Sequence, residues 1–82
     1  MAIGVMMMYE RIRNEREDHD MTQAEMAKIL HIHQTTYSNY ERGNLNIPIP
    51  VMIKLADTFR TSIDYLVGRT DEKTPYPRKR TK

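Results

Sequence analysis

Eighty-two residues, 39% hydrophobic and 29% charged, are enough for one globular domain with a modest core and leave no room for a separate ligand-binding domain. The absence of cysteine excludes disulfides, thiolate metal sites and a cysteine nucleophile. The formal charge of +2 hides an asymmetry, because residues 1–68 hold seven bases against nine acids while residues 69–82 hold six bases against two.

The opening stretch, residues 1–8, is apolar, with three methionines in a row. It is too short for a membrane span and lacks the basic start of a signal peptide. Two readings stand for it: a natural start at Met8, or an apolar arm, disordered alone, that packs on a partner. Residues 9–18 form the first predicted helix, with a thin stripe of Tyr9 and Ile12. Glu15 and Arg16 fall where the next turn faces inward. Glu17, Asp18, His19 and Asp20 make an acidic connection. A histidine between two aspartates sketches a metal ligand set, but no ligand spacing continues it, so a solvated loop is expected.

Thr22 followed three residues later by Glu25 is a capping box that starts a second helix. Met26, Ala27 and Leu30 give that helix one apolar face. His31, Ile32 and His33 interrupt the pattern, and a second stripe follows at Tyr37 and Tyr40. Gly43 suits the left-handed position that closes a helix. Two short helices around a turn with one apolar residue predict a helix-turn-helix. With Tyr37, Tyr40 and Glu41 turned inward, Gln34, Thr35, Ser38 and Asn39 share the outer face of the third helix. Gln and Asn can bond the N6 and N7 edge of adenine, and Thr can offer a methyl group to thymine. A merely soluble face is the plainer reading, although Lys and Glu would be more typical of one.

After Gly43 comes a loop over residues 44–50, whose Pro48 and Pro50 fit only the first turn of a following helix. Met52, Leu55, Ala56 and Phe59 then recur at helical spacing as core. Ser62 caps a short last helix over residues 63–67, with Asp64 favourable in its first turn, and Gly68 ends it. Residues 69–82 read as a flexible basic tail, since Pro75 and Pro77 oppose helix and the charges oppose burial. Such a tail either tracks nucleic-acid phosphates or only solubilises the terminus.

These residues carry a resemblance. Thr22-Gln23-Ala24-Glu25, Met26-Ala27, Ile32, Gln34-Thr35-Thr36 and Tyr40-Glu41-Arg42-Gly43 resemble the helix-turn-helix of lambda-repressor/Cro-like (XRE-type) transcriptional regulators. Ile53-Lys54-Leu55-Ala56 and Ser62-Ile63-Asp64-Tyr65-Leu66-Val67-Gly68 extend the likeness, so that it covers about residues 9–68. The resemblance implies an all-α bundle of five short helices, with no cofactor, metal or small-molecule ligand and no membrane. It implies a cytoplasmic, nucleoid-associated repressor, bound as a homodimer to a near-palindromic double-stranded operator. Base contacts would come from Gln34, Thr35, Ser38 and Asn39. Backbone contacts would come from Gln23, His33, Thr36, Arg42, Asn44 and Asn46. Arg16 and Glu41 would form an ion pair beneath the third helix, buried or, as the alternative, exposed and weak. Tyr65 and Val67 would line a dimer contact or simply pack internally.

The chain departs from the family pattern in places: Glu15 where leucine is usual, His31 where glycine or asparagine is frequent, and His33 in place of a capping serine or threonine. The first departure implies either a weaker first helix or a small rotation that leaves Glu15 in solvent. The capping serine usual before the fourth helix is absent too. A body that is not basic binds phosphates poorly without specificity, so a protein-interaction module of the same fold, such as an antitoxin-like partner, is the alternative function. An enzyme is not expected, given no glycine-rich phosphate loop, no serine–histidine arrangement and histidines without carboxylates at ligand spacing.

Overall fold

A computed structural model describes residues 2–75, with side chains from Glu10 onward. Among them all regular structure is helical: α1 (Ala2–Asp18), α2 (Gln23–Leu30), α3 (Gln34–Arg42), α4 (Ile49–Phe59) and α5 (Ile63–Leu66). The periodicity placed the start of α1 at Tyr9, yet the helix runs through the methionine-rich opening. Met and Ala are good helix formers, and only Gly4 there opposes the conformation. The basic cluster Arg78, Lys79, Arg80 and Lys82 lies outside the described residues.

The stripes read for α2, α3 and α4 are buried. Met26, Ala27 and Leu30 from α2 meet Tyr37 and Tyr40 from α3, while Met52, Leu55, Ala56 and Phe59 close the core from α4. Ile12 of α1 and Leu66 of α5 are fully buried among them. Helix α1 is the hub, since it packs against α3, α4 and α5, while α2 rests mainly on α3.

Local chemistry sets the helix boundaries. The Thr22 hydroxyl accepts from Glu25 N at 3.1 Å and the Glu25 carboxylate accepts from Thr22 N at 2.8 Å, completing the capping box. His31 ends α2 at φ 59° and Gly43 ends α3 at φ 79°, both left-handed. Arg60 closes α4 in the same way, at φ 56°. His33, at the N-cap of α3, makes no side-chain cap bond. Pro48 stands at the N-cap of α4, with Pro50 in the first turn where its missing N–H costs nothing. Ser62 caps α5 by accepting from Tyr65 N at 3.0 Å.

Glu15 requires a correction. Neither expectation, a weak helix or a carboxylate in solvent, matches the structure, in which Glu15 is 2% exposed within an unbroken α1. It lies one turn beyond Ile12 on the same inward face. Lys73 supplies its counter-charge, with Nζ 2.9 Å from Oε2. The start of the basic segment is therefore held against the body, where charge had argued against burial. The likeness to repressors gave no hint of this partner.

Candidate nucleic-acid interface

The underside of α3 is held by charge. Arg16 of α1 donates from Nε to Glu41 Oε2 at 2.7 Å and from Nη2 to Oε1 at 3.2 Å. This is the two-pronged geometry that makes arginine–carboxylate pairs strong. The guanidinium also donates to the Met21 carbonyl at 2.8 Å, and Gln23 Nε2 donates to Glu41 Oε1 at 3.1 Å. The Glu41 side chain is 3% exposed and that of Arg16 12%, so the buried form of the pair is the one present. One carboxylate thus ties α1, the α1–α2 connection, α2 and α3 together.

Burial by itself would push the Glu41 carboxyl up. Hydrogen bonds from Arg16 and Gln23, with the Tyr37 hydroxyl acting from longer range, outweigh burial and hold it below the usual carboxylate range. The hydrogen bond to Glu41 in turn holds Arg16 above its ordinary value, against burial. Tyr37 is fully buried, and its hydroxyl makes no hydrogen bond of good geometry. Burial first, then the nearby Glu41 carboxylate, raise its pKa well above that of an ordinary tyrosine.

With its inner side fixed, α3 turns its other side outward. Gln34 and Thr35 are exposed, while Thr36, Ser38 and Asn39 are half-buried along the same short helix. His33, Arg42, Asn44 and Asn46 are exposed at its two ends. Asn44 N donates to the Asn39 carbonyl at 2.9 Å, and Asn44 Nδ2 to Asn39 Oδ1 at 3.3 Å. The loop after α3 therefore steadies the last amide of the outer face. Gln23, at the start of α2, is half-buried and donates from its amide nitrogen to Glu41.

The arrangement is a neutral helix face, held from beneath, that offers hydrogen bonding and methyl contact. No group of His, Cys, Asp and Glu that could hold a metal ion occurs among the described residues. No described helix is long and apolar enough to cross a membrane. Sequence reasoning gave no role to Arg11 or Lys73. For Lys73 the one signal was an acid, Glu15, at an apolar register position, and for Arg11 there was none.

A family model described as Helix-turn-helix matches residues 12–66, from the core isoleucine of α1 to the core leucine of α5. The chain belongs to the XRE-type helix-turn-helix family. Among its curated relatives, an uncharacterized HTH-type transcriptional regulator of Bacillus subtilis, YobD, is 30% identical over 66 residues, 80% of this chain and 59% of the relative. The cryptic phage CTXphi transcriptional repressor RstR of Vibrio cholerae is 42% identical over 65 residues, 77% of this chain and 58% of the relative. The HTH-type transcriptional regulator ImmR of B. subtilis is 32% identical over 62 residues, 76% of this chain and 49% of the relative. This helix-turn-helix chain therefore spans about half to three fifths of the length of these relatives. No solved structure gives a significant match.

Proposed function

We propose that the protein is a cytoplasmic, sequence-specific double-stranded DNA-binding regulator of transcription, acting as a repressor, with α3 in the major groove. The observation that carries this reading is the two-sided construction of α3. Its inner side is locked through Glu41, and its outer side presents Gln34, Thr35, Ser38 and Asn39. Amides and hydroxyls can discriminate base edges while contributing no net charge. His33, Thr36, Arg42, Asn44 and Asn46 flank that face and are the proposed phosphate contacts, which set register and not sequence. Gln23 joins them through the second N–H of its amide nitrogen, the first being given to Glu41.

Residues 1–68 carry more acids than bases, so affinity rests on the basic C-terminal segment or on pairing two copies at the right sequence. A homodimer sets two α3 helices about 34 Å apart in successive major grooves of a near-palindromic operator. Occupying such a site blocks polymerase, and the names of the relatives, one a phage repressor, support that direction.

Selection from a random DNA pool, followed by titration of the enriched site at several salt concentrations, tests the reading. The expected result is a palindrome with a steep salt slope, lost in the Gln34→Ala, Asn39→Ala double variant. Absence of enrichment over a scrambled pool would overturn it. In that event the exposed aliphatic side chains Leu45, Ile49 and Ile53, of which Ile49 is 65% exposed, favour the antitoxin-like protein-binding module. A complex that persists at high salt without DNA would identify that function.

A further inference from the structure

Glu15 is a buried carboxylate that the DNA-reading face does not use. Its side chain is 3% exposed and its Oε1 has no hydrogen-bond partner. The groups facing it are Lys73, 2.9 Å from Oε2, and the His19 ring, whose Nδ1 lies 3.9 Å from Oε1 and already bonds the Glu15 carbonyl at 2.8 Å. The Phe59 ring lies against it, tilted, at 5.4 Å between centroids, so the imidazole is positioned by more than charge. Lys73 is therefore the one permanent cation on Glu15 among the described residues, and it stands beyond the stretch that the family model covers.

The segment around Lys73 is held at two further points. Arg11, one turn before Glu15 on α1, donates from Nη1 to the Tyr65 carbonyl at 2.8 Å and to the Thr70 carbonyl at 2.6 Å. Its guanidinium lies 4.3 Å over the Tyr65 ring and bonds Asp71 at 2.6 Å. On the opposite side, Thr61, buried at the α4–α5 corner, donates from Oγ1 to the Lys73 carbonyl at 2.6 Å. Residues 70–73 therefore bridge α1 to the α4–α5 corner. These contacts differ in weight. Asp71 is 98% exposed on its side chain, so its ion pair contributes little. Glu15 is desolvated, and removing its partner would leave a buried charge uncompensated.

We propose that residues 70–73 form an ionic latch on α1, in which Lys73 neutralises buried Glu15 and thereby holds α1 in the position from which Arg16 fixes α3. Adjacency carries the second half of this inference: Glu15 faces the latch, and Arg16, the next residue, grips Glu41 under α3. Lifting residues 70–73 exposes or strands Glu15 and loosens the helix that supports the outer face. The coupling to α3 rests on the proposed DNA reading, whereas the latch itself does not.

A double-mutant cycle on the full chain, using Lys73→Met, Glu15→Leu and both together, tests it through thermal midpoint and affinity for the selected DNA. Because Lys73 is itself half exposed, Lys73→Met is expected to cost less than breaking a fully buried pair and to lower the midpoint by about 5–10 °C. In the Glu15→Leu background the same change should move it by no more than about 3 °C, since leucine needs no counter-charge. Equal drops in both backgrounds, or no drop in either, would overturn the latch. For the coupling, Lys73→Met should weaken DNA binding several-fold at a temperature where every variant is folded, and Glu15→Leu should restore it. A lowered midpoint with unchanged affinity would overturn the link to α3, as would a loss of affinity that Glu15→Leu does not restore. Should the unaltered protein select no DNA, the failure belongs to the proposed function, and the midpoint cycle still decides the latch.

Discussion

At the scale of single residues, Glu41 concentrates the risk in this design. It accepts from Arg16 and Gln23 while nearly all of its side chain is out of water. Glu41→Ala leaves the Arg16 guanidinium without its partner, and urea unfolding is expected to report a loss of about 3–5 kcal/mol. Replacing both members with apolar residues, Arg16→Met with Glu41→Leu, should recover most of that loss, because no charge then needs compensation. The same carboxylate sets a pH dependence. Its folded pKa lies below the unfolded value of about 4.3, so its contribution is complete above that pH and disappears as pH falls through the folded value. Stability measured from pH 5 down to pH 3 should therefore decline more steeply in the unaltered protein than in the double variant. On the other side of the helix the expectation reverses. Gln34→Ala or Asn39→Ala should leave the thermal midpoint nearly unchanged and reduce affinity for the selected DNA by about 1–3 kcal/mol at one base position. For Asn39→Ala some loss comes through Asn44, which loses its side-chain acceptor.

At the scale of elements, the α2–turn–α3 unit combines two well-made ends, at Thr22 and Gly43, with two poor ones. Thr22 and Glu25 complete both bonds of the capping box, so Thr22→Ala should cost about 0.5–2 kcal/mol. His31, by contrast, holds a left-handed conformation that glycine adopts without penalty. His31→Gly is expected to stabilise the protein, by up to about 1 kcal/mol in denaturant titration. His33 leaves the first turn of α3 without a side-chain cap, and His33→Ser should supply one. Together the two histidines mark where stability is given up around the proposed DNA contact. The helices themselves were legible because periodicity and capping are local. Tyr37 and Tyr40 are buried where their spacing placed them, as are Met52, Leu55, Ala56 and Phe59. The start of α1 was less legible, since the methionine run carries helix propensity without a polar pattern to show it.

At the scale of the whole molecule, charge separates the body from the C-terminal segment, and the salt dependence of DNA binding reads how much each contributes. Deleting residues 74–82 removes Arg78, Lys79, Arg80 and Lys82 while leaving Lys73 on Glu15. It should weaken binding to all sequences alike and flatten the slope of log affinity against log salt. An unchanged slope would assign phosphate binding to the body alone. The sequence by itself determined the five helices, the helix-turn-helix and the neutral outer face of α3, because each depends on residues a few positions apart. It also pointed to the Arg16–Glu41 pair, through its resemblance to a known family. Only the tertiary structure decided that the pair is buried, that Gln23 turns inward to it and that Glu15 lies inside the body. The last depends on Lys73, which chain folding brings to α1 from the far end of the molecule. An acid at an apolar register position is ambiguous until its counter-charge is located, and no local pattern records where a distant lysine will lie.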